Sequence, residues 1–354
     1  MEFQSFRPRW VTTIAGDVQV FRRYYWCAAH KRGCAPFDES LGLFRSYTRA
    51  VQRLVGFAAA ITSFGEAALL LKRMMGITLD KNTVRDIALY LASSYEERQQ
   101  RESKAVANIL AAASRMDRLY IEIDAAKTHE LDEWKDTKVG VVFNAVQVND
   151  KQRAGTKTYV AGVENIELFG TRFFLHAARR GALNVRELIA IADGAPYNWA
   201  MFDMHFPHAI QILDIYHAYE HLGTLRHCAW RDDDPVGRAW YRAQKRRLKA
   251  GYLDAFFAHF GDVPCSTKEQ SKCLVDTIRY FEDNRPRIRY GEFRRKGYFI
   301  GSGVVESGCK RIVAQRLRLP GARWRNPHDH LMAQLRAAYL NNYLDDIEKF
   351  MLAA

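Results

Sequence analysis

Three acidic residues stand where a carboxylate can do chemistry. Asp124 follows an alternating apolar stretch, Asp193 follows a continuous apolar run, and Glu306 lies early in a helical stretch that is otherwise basic. Carboxylates can hold two divalent ions about 4 Å apart, and these ions neutralise the charge of a phosphodiester and activate the attacking oxygen. Each acid also has a structural explanation: an Asp caps turns, and a Glu meets the helix dipole or pairs with Lys310 four residues on.

Two further pairs of residues contain candidates for the same metal-dependent site. Glu122 shares a strand face with Asp124 and is a rival for its role. Asp214 and His217 stand three residues apart at a predicted strand-to-helix junction, where both can contact one site. His217 and His221 also share a helix face, but the order His-Ala-Tyr-Glu-His departs from the H-E-x-x-H pattern of zinc proteases.

The charge balance indicates a polyanionic partner. The 354 residues include 53 Lys+Arg against 40 Asp+Glu, a net charge of +13 and a pI near 9.5. Nucleic acid fits this balance better than a membrane, because no run of about 18 apolar residues occurs and the N-terminus lacks signal-peptide order. Six cysteines in so long a chain do not form a dense disulfide framework, so we expect a reduced, cytoplasmic protein.

The first 48 residues are strand-like and contain a possible zinc half-site. Cys27, His30 and Cys34 have a workable spacing for zinc ligands, although structural zinc needs four. The alternative is a small β-hairpin with buried thiols.

Residues 49–116 have a helical pattern. Ser63-x-x-Glu66 predicts a capping box, Gly76 ends that helix, and a second helix begins near Asp80. Its apolar face is Val84, Ile87, Ala88 and Leu91, and its start is polar. The pair resembles a helix-turn-helix in which Lys81, Asn82, Thr83 and Arg85 would contact DNA, although most helix pairs are only packing units. Tyr95–Ser114 is predicted to be a linking helix.

From residue 117 the pattern predicts an α/β unit whose ligands gather at strand ends. The predicted strands are 119–124, 138–144, 157–163 and 209–213. The predicted helices are 171–180, a segment from Val185 that leads into the apolar run 188–192, 216–227, a helical region at about 230–289, and 328–350.

Taken together, these segments resemble the bacterial DDE-type insertion-sequence transposases, in particular the ISKra-type group of the Mutator-like clan. The most specific segment is IGSGVVESGCKRIVAQRLRLPGARW, residues 300–324, which is similar to the block around that family's catalytic glutamate. The other matching segments are IEIDAAK (121–127), ADGAPYNW (192–199), LDIYHAYEHL (213–222) and, for a zinc-ribbon-like module, YYWCAAHKRGCAPFDESLGL.

The resemblance implies a fold and an activity. It implies a partial zinc-ribbon-like module over 1–48 and an RNase H-like mixed sheet over 117–354 with a helical insertion at about 230–290. Between them, residues 49–116 are the helix-turn-helix region predicted from the helical pattern. Asp124, Asp193 and Glu306 would bind two Mg²⁺ or Mn²⁺ ions, with Asp214 and His217 in support. Cleavage at a terminal inverted repeat would leave a 3′-hydroxyl that is then joined to target DNA, by a homo-oligomer at the bacterial nucleoid. The basic residues predicted to grip DNA near the site are Lys310, Arg311, Arg316, Arg318, Arg323 and Arg325.

The sequence departs from the family pattern in three places, and these departures leave other functions open. Ala125 replaces a glycine after the first acid, His30 replaces a cysteine, and the upstream half of the zinc ribbon is missing. A transposase-derived DNA-binding protein without catalysis is therefore one alternative, and a nuclease on the same fold is another. Trp199, Trp324 and Tyr298 could stack on an unpaired base, but we expect them in the core.

Overall fold

The computed structural model describes residues 1–103 and 116–346, in which the chain forms two β-sheets and a surrounding set of helices. The N-terminal sheet is antiparallel, with the order β1-β2-β3, and its strands are β1 (Glu2–Thr13), β2 (Gly16–Cys27) and β3 (Arg32–Cys34). The predicted hairpin is present, but Cys27 and Cys34 are only half-buried, so the predicted buried thiols are wrong. All six cysteines are free.

Four helices follow: α1 (Pro36–Ser40), α2 (Arg49–Ile61), α3 (Phe64–Met75) and α4 (Lys81–Ser103). The predicted capping box of Ser63 and Glu66 is confirmed, as is the end of α3 at Gly76, which adopts a left-handed conformation. The predicted apolar face of α4 is buried. Residues 104–114 of the predicted linking helix lie outside the described residues.

The central sheet has five strands in the order β6-β5-β4-β7-β8. Its members are β4 (Arg118–His129), β5 (Trp134–Val148), β6 (Lys151–Gly162), β7 (Glu187–Ala192) and β8 (Ile210–Leu213). Strands β4, β7 and β8 are parallel, whereas β5 is antiparallel to β4 and β6. The predicted mixed α/β architecture is confirmed at this level.

Two local predictions in this sheet are wrong. Strand β4 does not end at Asp124, because β5 pairs with it through His129 and extends the ladder by five residues. No helix begins at Val185: the chain enters the strand Glu187–Ala192 directly. The apolar run that ends at Asp193 belongs to this strand, and its alternating Ile and Ala side chains fit a central parallel strand that is buried on both faces.

The remaining helices are α5 (Ile166–Arg179), α6 (Pro196–His205), α7 (Ile215–Ala229), α8 (Pro235–Ala250), α9 (Leu253–Ala258), α10 (Lys268–Asp283), α11 (Tyr290–Arg295), α12 (Gly303–Cys309) and α13 (His328–Leu340). The helical region after Trp230 is confirmed. Helix α12 continues as a π-helix, Lys310–Leu317. The predicted C-terminal helix ends earlier than expected, at Leu340, and residues 347–350 lie outside the described range.

Two buried arginines connect the N-terminal helix α2 to the helical segments near the C-terminal end of the described chain. Arg316 of the π-helix donates to the carbonyl of Ala59, and Arg336 of α13 donates to that of Ala60, both at the C-terminal end of α2. Cations at this end of a helix meet carbonyls that lack partners within the helix. Helix α4 also packs along α13. Over the described residues no helix is long and apolar enough to cross a membrane.

Candidate active site

The strand register brings three aspartates into one row. Glu122 pairs with Ile191, so Asp124, two residues on, is level with Asp193, two residues beyond Ile191. Ile191 pairs with Ile212, so Asp193 is in turn level with Asp214. Neighbouring strands lie about 4.8 Å apart. The carboxyl ends of β7 and β8, together with the middle of β4, therefore gather three acids from distant parts of the chain.

Asp124 lies beneath helix α12. Its Oδ1 accepts the Ala125 N–H at 2.7 Å, and its Oδ2 accepts a weak hydrogen bond from the Cys309 thiol at 3.6 Å. Burial raises the pKa of Asp124, and the negative charge of Asp193 adds to that rise, whereas His217 opposes it. Cys309 was missed by the sequence reasoning because a single cysteine on a helix gives no signal of what it faces.

Asp193 is held by a tight turn at the end of β7. Its Oδ1 accepts the Ala195 N–H and the Asn198 side-chain amide, both at 2.9 Å. Its backbone carbonyl accepts the Tyr280 hydroxyl of α10 at 3.1 Å. Gly194 has a φ of +96°, and a Cβ there would meet Leu213 and Tyr280 at 2.8 Å. The glycine is therefore needed to turn the chain just after the acid.

Asp214, which is buried, and His217, which is partly exposed, form an ion pair, and Asp214 also ties β8 to the Gly-Ser-Gly turn. Asp214 caps α7 and accepts the Ser302 N–H at 3.0 Å, and its Oδ2 lies 2.7 Å from His217 Nδ1. The hydrogen bond to Asp214 raises the pKa of His217 to about 9. Burial opposes the ionisation of Asp214, but His217 and the backbone donors outweigh it and lower the pKa of Asp214. His217 is therefore an imidazolium at neutral pH.

Glu122 has a different role from Asp124, although both side chains point to the same face of β4. Its Oε2 accepts the Val305 N–H in the first turn of α12 at 2.8 Å, while Oε1 is buried with no partner among the described residues. Burial raises the pKa of Glu122 well above its usual value. Glu122 therefore fixes the start of the helix that carries Glu306, whereas Asp124 contacts Cys309 near the end of the same helix.

Glu306 completes the group, which we call the acidic cluster: Asp124, Asp193, Asp214 and Glu306. Ser302 donates to Glu306 Oε1 at 3.5 Å, and the charge of Glu306 contributes to the raised pKa values of Glu122 and Cys309. The donors are hard carboxylate oxygens, which suit Mg²⁺. Within the described residues, however, no three His, Cys, Asp or Glu side chains form a group that could hold a metal ion.

The structure gathers five of the predicted DNA-binding residues around one open cavity of about 690 Å³. We call it the basic cavity; it is lined by Lys81, Arg85, Arg316, Arg323 and Arg325, with Ser63, Phe64, Trp324 and His328. The other predicted residues lie elsewhere. Asn82 and Thr83 donate their backbone N–H groups to Asp80 at the start of α4. Lys310, Arg311 and Arg318 are exposed on the π-helix and just beyond it, outside the cavity.

The three candidate zinc ligands do not all lie together. Cys27 and His30 are in contact, with Sγ 3.1 Å from Nδ1, but Cys34 instead contacts the sulfur of Met1. Only two of the three candidate zinc ligands therefore lie together.

Trp199, Trp324 and Tyr298 are all buried, which confirms the expectation that they belong to the core.

The fold and site together define a mixed α/β protein with a carboxylate-rich face and a basic cavity. Residues 1–346 match the model of UPF0236, described as an uncharacterised protein family, so the chain belongs to that family. No curated protein matches the chain.

Proposed function

We propose that the protein is a DDE-type DNA transposase of an insertion sequence, which cleaves and joins DNA with Asp124, Asp193 and Glu306. The observation that carries this proposal is the row of level acids across three adjacent parallel strands, with Glu306 delivered from α12 above them. Electrostatic coupling supports the grouping, since Asp193 raises the pKa of Asp124 and Glu306 raises that of Cys309, which contacts Asp124.

The sheet supports an RNase H-like catalytic fold. Three parallel strands with an antiparallel strand β5 on one side, and the order β6-β5-β4-β7-β8, agree with the architecture that the resemblance implies. The helices between Pro235 and Arg295 occupy the place of the expected insertion between the second aspartate and the glutamate. Parallel strands collect ligand-binding residues at their carboxyl ends, which is where Asp193 and Asp214 stand.

The residues of the site have separable tasks in this proposal. Bound Mg²⁺ or Mn²⁺ would neutralise the scissile phosphate and activate an oxygen nucleophile, and Asp124, Asp193 and Glu306 would hold it. Glu122 and Asp214 fix the two ends of the turn from which α12 starts, through the N–H groups of Val305 and Ser302. His217 adds a positive charge that offsets the repulsion between the carboxylates.

DNA is the substrate that fits the rest of the molecule. The net charge of +13 favours association with a polyanion, and the basic cavity joins the starts of α3 and α4 to the segment after Glu306. In this proposal α3 and α4 form the helix-turn-helix that recognises terminal inverted repeats. A homo-oligomer in the bacterial cytoplasm, at the nucleoid, would pair two element ends.

A second candidate is a transposase-derived protein that binds DNA without cutting it. The contact between Cys309 and Asp124 favours it, because the thiol occupies a carboxylate oxygen that a metal would need. The partial zinc half-site at Cys27 and His30 gives neither candidate an advantage.

The deciding experiment incubates the purified protein with a labelled element end and Mg²⁺, beside an EDTA control. Strand cleavage should require the metal and fall by about 10³-fold in Asp193→Asn, since several kcal/mol of charge stabilisation are lost. The amide keeps the Oδ1 acceptor for Ala195 and Asn198, so binding of the end should change less than threefold. Asp203→Asn, an exposed acid that bonds Gln211, is the matched control. Cleavage by Asp193→Asn at the parent's rate would refute the assignment, and DNA binding without any cleavage by the parent would favour the second candidate.

A further inference from the structure

The basic cavity concentrates positive charge that the described part of the protein neutralises only in part. Within the described residues its lining contains Lys81, Arg85, Arg316, Arg323 and Arg325 but no Asp or Glu. Arg85 has a partner in Asp86, at 2.8 Å. For Lys81, Arg323 and Arg325, the described part of the chain provides no ion pair. Like charges gathered this closely repel one another unless an anion lies between them.

Arg316 forms the buried wall of this cavity. The side chain is 2% exposed, its Nε donates to the Ala59 carbonyl at 2.6 Å, and its guanidinium lies over the rings of Phe64 and Trp324 at 4.9 and 5.2 Å. Burial lowers the pKa of Arg316 to about 10, so it remains charged at neutral pH. Its Nη2 is buried and has no partner among the described residues. An unpaired donor on a buried cation is costly unless a ligand satisfies it.

Two helix starts reach the same cavity. Ser63 is the N-cap residue of the 12-residue helix α3, and Lys81 is the first residue of the 23-residue helix α4. The N-terminal end of a helix carries partial positive charge, which favours an anion there. At the start of α4 the N–H groups of Asn82 and Thr83 are already bonded to Asp80, so this helix contributes the Lys81 side chain to the cavity. Glu66, the acid of the α3 capping box, is occupied by Ser63 and does not line the cavity.

We propose that the basic cavity is a phosphate-binding site that holds one phosphate group of the DNA backbone. The exposed guanidinium forks of Arg323 and Arg325 match the geometry of a phosphate, Arg316 adds positive charge from the buried wall, and the Lys81 ammonium adds a point charge. Because Arg316 lies ten residues beyond Glu306 in the same continuous helical segment, the site ties the position of the DNA to the helix that carries the glutamate. The identity of the ligand as DNA rests on the proposed function, whereas the anion site itself does not.

The test compares Arg323→Gln/Arg325→Gln with Arg246→Gln/Lys249→Gln, an equal loss of charge on exposed positions of α8. All four residues are exposed, so both variants should fold. Calorimetric titration with inorganic phosphate and with pyrophosphate, in EDTA, should show at least a tenfold loss of affinity in the cavity variant. The α8 variant should stay within twofold of the parent. Equal losses in the two variants would overturn the site, because only net charge would then matter.

A second arm identifies the source of the phosphate. Fluorescence anisotropy with a DNA duplex in EDTA, at several salt concentrations, should give a log–log slope that is shallower by about 0.9 in the cavity variant, which corresponds to one lost phosphate contact. If phosphate binding is lost but the duplex slope is unchanged, the ligand is a free phosphate and the assignment to DNA is wrong. Neither arm depends on catalysis, so failure of the parent to cleave DNA leaves the result for the cavity intact.

Discussion

The acidic cluster brings negative charges together and the basic cavity brings positive charges together, but the protein compensates the two sets of charges differently. The acids are partly compensated from within: His217 bonds Asp214, Cys309 contacts Asp124, and Asn198 bonds Asp193. In the cavity, by contrast, the described residues leave Arg316 Nη2 without a partner and supply no lining carboxylate. The first region is therefore organised to remain folded with its ligand absent, whereas the second depends more on an external anion.

One continuous helical segment contributes residues to both regions. Helix α12 begins over Glu122 and carries Glu306, and the π-helix that continues it ends next to the cavity with Arg316. A π-helix is wider than an α-helix and is often found at functional sites. Here it follows Cys309 directly and carries Arg316 to the carbonyl end of α2. In the proposed function, the acids would hold cations at the cut and the cavity would hold a phosphate further along the DNA.

The largest expected effect separates Asp124 from Glu122 within the acidic cluster. Asp124→Asn should reduce strand cleavage by about 10³-fold, because it removes a charged ligand from the reacting site. Glu122→Gln should keep cleavage within about threefold of the parent, since burial favours the uncharged form of Glu122 by raising its pKa and the amide oxygen can still accept the Val305 N–H. A labelled element end with Mg²⁺ measures both. The reverse order of effects would show that Glu122 is the ligand.

Sequence reasoning located the acids but not their surroundings. The alternating pattern identified β4 and its outward acid, and the apolar run before Asp193 marked the end of a strand. Period-two alternation cannot distinguish Glu122 from Asp124, because both side chains point to the same face. Only the docking of α12, which presents the Val305 N–H to one and the Cys309 thiol to the other, separates them.

Predictions from short sequence motifs were confirmed where the motif contains all the residues that interact. The Ser63 capping box and the Gly76 helix end involve residues within a few positions of each other, so the sequence carries the whole interaction. Tyr280 reaches the Asp193 carbonyl across 87 residues, and Arg316 reaches Ala59 across 257. Such contacts depend on tertiary packing, and the same side chains on an isolated helix would indicate only a polar or basic face. Arg316, one of the residues predicted to grip DNA near the site, is buried for this reason.

A crossed ligand test compares the two regions in one measurement. Mg²⁺ should raise the melting temperature of the parent, and Asp124→Asn should remove that rise while leaving the rise with pyrophosphate unchanged. Arg323→Gln/Arg325→Gln should show the opposite pattern. Ligand at 100 times its dissociation constant stabilises the folded state by about 2.7 kcal/mol, which differential scanning fluorimetry detects. Loss of both responses in either variant would mean that the two regions form a single coupled site.

The smallest expected effect concerns His217, whose charge offsets the acids. The folded-state pKa of His217 is about 9, above the usual 6.5, so its ion pair stabilises the fold fully below pH 6.5 and loses that effect as the pH rises through 9. His217→Gln should therefore lower the free energy of unfolding at pH 6, and the difference from the parent should shrink by pH 10. The side chain is 31% exposed, so screening by solvent limits the difference at pH 6 to about 1 kcal/mol.

Urea unfolding at pH 6, 8 and 10 measures this difference, with His208→Gln at an exposed position as the matched control. Titrations elsewhere in the protein affect parent and variant alike, so they cancel in the comparison. The control should differ little from the parent at any of the three pH values. A His217→Gln deficit that stays constant from pH 6 to 10 would show that the imidazole acts on Asp214 as a neutral hydrogen-bond donor. The acidic cluster would then lack the internal cation that distinguishes it from the basic cavity.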